Sequence, residues 1–108
     1  RTFITRQYDR SMIYHVIRKS DWEKALLLGR YEAASLQTEG FIHNSTAEQV
    51  AGVLDRYYRD EKDLLLLHID ETKLTAPLRY ELALSINEMF PHLFGPLNLD
   101  AVIKTEIL

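Results

Sequence analysis

The sequence predicts a single α+β domain, and three observations carry that expectation. Strand-sized runs of β-branched or leucine-rich residues, Ile13 to Ile17 and Leu64 to Ile69, are bounded by polar residues. Capping signals at Ser20-Asp21-Trp22-Glu23 and at Ser45-Thr46 open two short helical stretches. A chain of 108 residues, 46% hydrophobic and 27% charged, has enough apolar surface for one core and too little for two.

Taken in order, Ile13 to Ile17 forms the first strand, with Ile13, His15 and Ile17 on one face and Tyr14 and Val16 on the other. His15 therefore faces inward or into a cleft. In the capping box the Ser20 hydroxyl and the Glu23 carboxylate answer orphan amides, and Gly29 stops a helix over 21–28. Phe41 to His43 is a second short strand. Ser45 or Thr46 then caps a helix over 47–58, whose Val50, Val53, Leu54, Tyr57 and Tyr58 share one face. Leu64 to Ile69 is read as a central strand buried on both faces, with His68 in the register of Leu64 and Leu66. Asp70 to Lys73 is a turn, Leu78 to Leu82 a strand after Pro77, and Val102 to Leu108 the last strand. Between these last two strands, Pro91, Gly95 and Pro96 lie among Phe90, Leu93, Phe94 and Leu97, a composition that predicts a packed, rigid loop.

Composition narrows the function classes. Without cysteine there is no disulfide, thiolate zinc site or cysteine nucleophile, which suits a reducing compartment and sets the expectation of a cytoplasmic protein. No apolar run approaches the roughly 20 residues that span a bilayer. A net charge of -3 provides no general attraction to nucleic acid or anionic lipid. Residues 1–11 differ, with Arg1, Arg6 and Arg10 against Asp9 giving +2, so the remainder carries -5. They are read as an N-terminal extension or leader ahead of Met12 that contributes little core, with the domain running over 12–108.

Three histidines stand beside short apolar runs: His15, His43 and His92. A neutral imidazole has a donor and an acceptor to satisfy and is a poor core filler, so the set suggests a ligand cleft. His43 leads into Asn44, Ser45 and Thr46 at a helix start, where free amides favour an anionic group such as phosphate. The plainer alternatives are a strand histidine satisfied by a carbonyl at position 15, an N-cap at 43–46 and a surface turn at 92. His68, enclosed in a leucine-rich strand, is read as structural. Glu81, beside Tyr80, and Glu88 are the carboxylate candidates for acid–base or ribose-binding work. No pair of histidines has the helical spacing of a zinc site, Ser45 lacks a nucleophile elbow, and no glycine-rich phosphate loop exists.

In order and at this length, the landmarks resemble the uncharacterised family known as domain of unknown function 952. They are Ile13-Tyr14-His15, Asp21-Trp22-Glu23, Gly29, Thr38-Glu39-Gly40-Phe41-Ile42-His43 with Ser45-Thr46 and Gln49, and Phe90-Pro91-His92-Leu93-Phe94-Gly95. The resemblance covers Met12 to Leu108. The chain departs from the family pattern at Asn44, where a cysteine is frequent, and at Phe94, where a tyrosine precedes the glycine.

A more distant resemblance leads to the ADP-ribosyltransferase-like superfamily. Ile13-Tyr14-His15 is similar to its Tyr-His opening strand. The segment from Gly40 to Ser45, followed by a helix ending in Tyr57-Tyr58, is similar to its second motif and to the His-x-His-x-Ser segment of tRNA 2′-phosphotransferases. The resemblance implies a split antiparallel sheet with two or three short helices, and NAD as cofactor. It also implies His15, with Tyr14, on a ribose, His43 and the residues Asn44, Ser45, Thr46 and His92 around the nucleotide, and Glu88 or Glu81 as the catalytic carboxylate. Such chemistry asks for positioning and charge stabilisation without a covalent nucleophile. Three functions follow as expectations. The first is an enzyme that handles the ADP-ribosyl group; the second is a non-catalytic nucleotide- or ADP-ribose-binding module. The third is an interaction domain using the apolar Phe90 to Leu97 segment.

Overall fold

The structure, a computed structural model, describes residues 11–108. The leader reading therefore lies, but for Ser11, outside the described residues; the Ser11 carbonyl accepts a hydrogen bond from the Glu71 amide (2.9 Å).

Strand β1 (Met12–Arg18) runs directly into helix α1 (Lys19–Leu28). Here the expected capping box is not used. Ser20 lies within the helix, the cap residue is Arg18, whose side chain makes no capping bond, and the first amide, that of Lys19, donates to the Asp63 carbonyl (2.8 Å). A neighbouring loop satisfies that first donor and the helix begins ahead of Ser20, which therefore is not at the cap position that the box requires. Gly29 ends the helix as expected: at φ 89 its backbone is left-handed, and its amide returns to the Ala25 carbonyl.

Next come β2 (Arg30–Tyr31), α2 (Ala34–Thr38) and β3 (Ile42–His43). A 3₁₀ turn (Ala47–Gln49) leads into α3 (Val50–Tyr57), with the Gln49 side chain reaching back to accept from the Thr46 amide (3.0 Å). After β4 (Leu64–Asp70) and a 3₁₀ turn (Glu71–Lys73), the hairpin of β5 (Leu78–Ala83) and β6 (Glu88–Leu93) follows. The chain then passes through β7 (Leu97–Asn98) and a 3₁₀ turn (Leu99–Ala101) to β8 (Val102–Ile107).

The strands form a sheet of order β1-β4-β8, another of order β3-β6-β5, and a two-stranded pair β2-β7; every pairing is antiparallel. The first two sheets touch at one bridge, where Tyr14 and Ser45 exchange both backbone hydrogen bonds (2.8 and 2.7 Å). Beyond it β1 and β3 separate.

One side of the β1-β4-β8 sheet packs Ile13, Ile17, Leu65, Leu67 and Ile69 against Ala25, Ile42, Leu93 and Leu97, all buried. Its other side packs Val16, Leu64 and Leu66 beneath Val50, Val53, Leu54 and Tyr58 of the α3 region. Central strand β4 is thus covered on both faces, as its unbroken apolar run predicts. Burial of such side chains, at about 25 cal/mol per Å² of apolar surface, is the main term holding these sheets together.

The expected packed loop over Phe90 to Leu97 is corrected. Residues Glu88–Leu93 form β6, the middle strand of its sheet, with Pro91 inside it. Proline is tolerated because its carbonyl still accepts from the Asn44 amide (3.0 Å) and the missing donor falls where two-residue β3 ends. Leu93 and Leu97 are buried, so the segment's aliphatic residues fill the core and do not form a contact surface.

Gly95 follows β6 with no room for a side chain. A Cβ there would lie 2.7 Å from the Ala76 Cβ. Gly95→Ala is expected to cost about 1–3 kcal/mol by urea denaturation, with part of the loss recovered when Ala76→Gly is added. Equal stability of Gly95→Ala and the parent would show that the strap around Ala76 moves freely.

Candidate functional site

The site lies in the gap where β1 leaves β3. Alternation along an antiparallel ladder means that, after the Tyr14–Ser45 exchange, the next rung would join Val16 to His43. That rung is replaced. The His43 carbonyl accepts instead from the His15 ring, at 2.6 Å from Nδ1. A carbonyl cannot donate, so Nδ1 carries the proton, and Nε2 accepts from the Tyr31 hydroxyl at 3.1 Å. Burial is the main cause that lowers the His15 pKa to about 4; the bond to the His43 carbonyl opposes the shift and the nearby His43 adds to it. The ring is neutral at physiological pH. Burial, with the Asp21 carboxylate second, raises the Tyr31 phenol above its ordinary range, so it too stays protonated.

These groups line a cleft of about 580 Å³, a volume within the roughly 300–1,000 Å³ usual for ligand pockets. One wall carries His15, Asn44 and Ser45, another Tyr31 and Asp21, while Tyr57 and Tyr58 close the α3 side and Glu39, His43 and His92 stand at the β3 end. Asn44 is 3% exposed; its amide nitrogen donates to the Ile42 carbonyl (3.1 Å), and its Oδ1 has no partner among the described residues.

At the β3 end each histidine holds a carboxylate. His43 Nε2 donates to Glu39 (3.0 Å), one turn of chain earlier, and His92 Nδ1 donates to Glu81 (2.8 Å) across the hairpin. His43 and His92 are register partners, with ring centroids 5.5 Å apart. Phe41 stacks on His92 at 3.9 Å and meets the His43 edge at 4.8 Å. His92 is therefore a strand residue fixed on two sides, where a loop histidine was expected.

Of the residues expected around a ligand, Tyr14, His15, His43, Asn44, Ser45 and His92 all line this cleft. Thr46 does not, and its amide is occupied by Gln49. The Asn44 and Ser45 amides are likewise taken, by the Pro91 and Tyr14 carbonyls, so this segment offers no free amide cradle for phosphate at those three positions. Glu81 stands behind His92, outside the lining. Glu88 lies at the start of β6, exposed, beside the Gln49 amide (3.4 Å). His68 is paired with Glu106 (2.8 Å) and sits edge-on to Tyr14. Among the described residues no three His, Asp or Glu side chains are grouped to hold a metal, and no helix is long and apolar enough to cross a membrane.

Three participants were not foreseen. Tyr31 carries no local signal, since only the fold brings it to His15. Glu39 could have been found, four residues before His43, and Phe41 shares a strand face with His43 by simple alternation.

A family model described as "Protein of unknown function (DUF952)" matches residues 16–105. The chain belongs to this family. Among solved structures, this DUF952 chain is similar to protein CC0527 from Caulobacter crescentus. The crystal structure of that protein matches with a TM-score of 0.79 at 30% identity, over 87% of this chain and 82% of that one. Its solution NMR structure matches with a TM-score of 0.78 at 30% identity, over 91% and 84%. None of the curated proteins compared matches the chain.

Proposed function

We propose that this DUF952 protein binds a nucleotide of the NAD or ADP-ribose class in the cleft and acts on its ADP-ribosyl group. The observation that supports the reading most is the convergence of His15, His43 and a carboxylate, Glu39, on one cavity. Because both His15 nitrogens are spent inside the protein, the ring positions Tyr31, whose oxygen keeps acceptor capacity for a ribose hydroxyl. Glu39, and not Glu81 or Glu88, is the carboxylate suited to a developing positive charge on a ribosyl carbon, because it lines the cleft and its partner His43 fixes its direction. Glu81 is assigned the positioning of His92.

A second reading, a binding module without catalysis, is favoured by the placement of Glu81 and Glu88 outside the lining. Calorimetric titration with NAD and ADP-ribose, combined with an assay for released nicotinamide, separates the two. Tyr31→Phe and His43→Ala are expected to weaken binding about tenfold or more, while His43, with 54% of its side chain exposed, costs the fold less than about 1 kcal/mol. Glu39→Gln should abolish turnover and Glu88→Gln should leave it unchanged. Binding without nicotinamide release selects the module, and no measurable affinity for either ligand ends both readings.

A further inference from the structure

We infer that β8 is a self-association edge, through which two copies of the chain join their sheets about a two-fold axis at Thr105. Among the described residues β8 pairs with β4 alone, so its outer backbone is open to a second strand. The direction of that backbone follows from the ladder. Tyr14 turns its amide and carbonyl to Ser45, so Ile13, His15 and Ile17 bond β4 through Ile69, Leu67 and Leu65. Leu66 and His68 then face Glu106 and Lys104, a pattern continued by the Leu108 amide on the Leu64 carbonyl (3.1 Å). Thr105 and Ile107 are left with outward amides and carbonyls.

The side chains choose the register. Antiparallel self-pairing centred on Thr105 sets Thr105 against its own copy on the axis, and Ile103 against Ile107 and Lys104 against Glu106, these two pairs each occurring twice by symmetry. The charged pairs fall at positions without backbone bonds between the copies, where strands bring side chains closest. Sliding by two residues in either direction would oppose Lys104 to Lys104 or Glu106 to Glu106, which is repulsive. Lys104 has no ion pair among the described residues, and His68 holds Glu106 on the face that Lys104 shares. Ile103 and Ile107, 54% and 85% exposed, are apolar residues on an open edge, a placement that solitary sheets avoid. The irregularity beside Ile69, which leaves Ile103 as the extra residue, bounds the ladder at its start. The joined sheet would run β1-β4-β8 into β8-β4-β1 of the second copy.

The test is sedimentation velocity on the full chain between about 10 µM and 1 mM, a range spanning weak self-association. The wild type is expected to show a concentration-dependent dimer. Thr105→Pro removes only an outward amide, so circular dichroism should be unchanged while the dimer is lost. Lys104→Glu alone and Glu106→Lys alone should each weaken the dimer about tenfold or more. Mixing these two variants, or combining both substitutions in one chain, should restore it. A wild type that stays monomeric throughout, a dimer that survives Thr105→Pro, or charge variants that the mixture does not rescue would each overturn the proposal.

Discussion

Acidification from pH 7 to pH 4 is expected to cost the wild-type protein about 3 kcal/mol that a His15→Gln variant does not lose. The His15 pKa is about 4 in the folded protein and about 6.5 in the unfolded chain. Between those values the unfolded state binds the extra proton and the folded state does not, so stability rises with pH through this window. It is complete above the unfolded value and is lost as pH falls towards 4. At about 1.4 kcal/mol per unit the window amounts to about 3 kcal/mol. Glutamine offers an N–H to the His43 carbonyl and an oxygen to the Tyr31 hydroxyl but does not titrate. Carboxylates, including Asp70, whose pKa the Thr72 hydroxyl lowers, act alike in both chains. Urea denaturation of both proteins at pH 7, 5.5 and 4 is the measurement, and two parallel pH profiles would refute the assignment.

Leu67→Ala should be the most damaging simple truncation beside the site, at about 3–5 kcal/mol. Leu67 is fully buried in the middle strand and is the register partner of His15. Its loss opens a void under the residue that shapes the cleft. Leu27→Ala, at a position 91% exposed, is the control and should change stability by less than about 0.5 kcal/mol. Similar denaturation midpoints for the two variants would mean that the β4 core refills itself. Because Leu67 and His15 are neighbours, Leu67→Ala combined with His15→Gln should depart from additivity.

The elements legible in the sequence are those whose signal is local. Alternation in Ile13 to Ile17, the apolar block of Leu64 to Ile69 and the stop at Gly29 all report backbone demands that neighbouring residues meet. What escaped was decided at a distance. Pro91 ends strands by local rules, yet β6 keeps it because β3 stops where the missing donor would be needed. Two-residue β2 and β7 are too short for any periodicity, and five-residue α2 has no side-chain cap. At the site, the inward side of His15 follows from period two, whereas its partners Tyr31 and the His43 carbonyl come from chain 16 and 28 residues away. The carboxylate beside His43 proved to be Glu39, close in sequence, because the turn at Gly40 folds it back.

The imidazole that takes the place of a backbone rung has a wider consequence. His15 stands as a spacer between β1 and β3, bonded to the His43 carbonyl where the strands part; its width is then expected to govern whether a hollow exists between the two sheets at all. A family member with a small residue at this position would be free to zip Val16 onto His43, gaining main-chain bonds and surrendering the hollow. Survey of such natural variants, or a His15→Ser chain whose sheets close, would trace the hollow itself to the girth of one side chain.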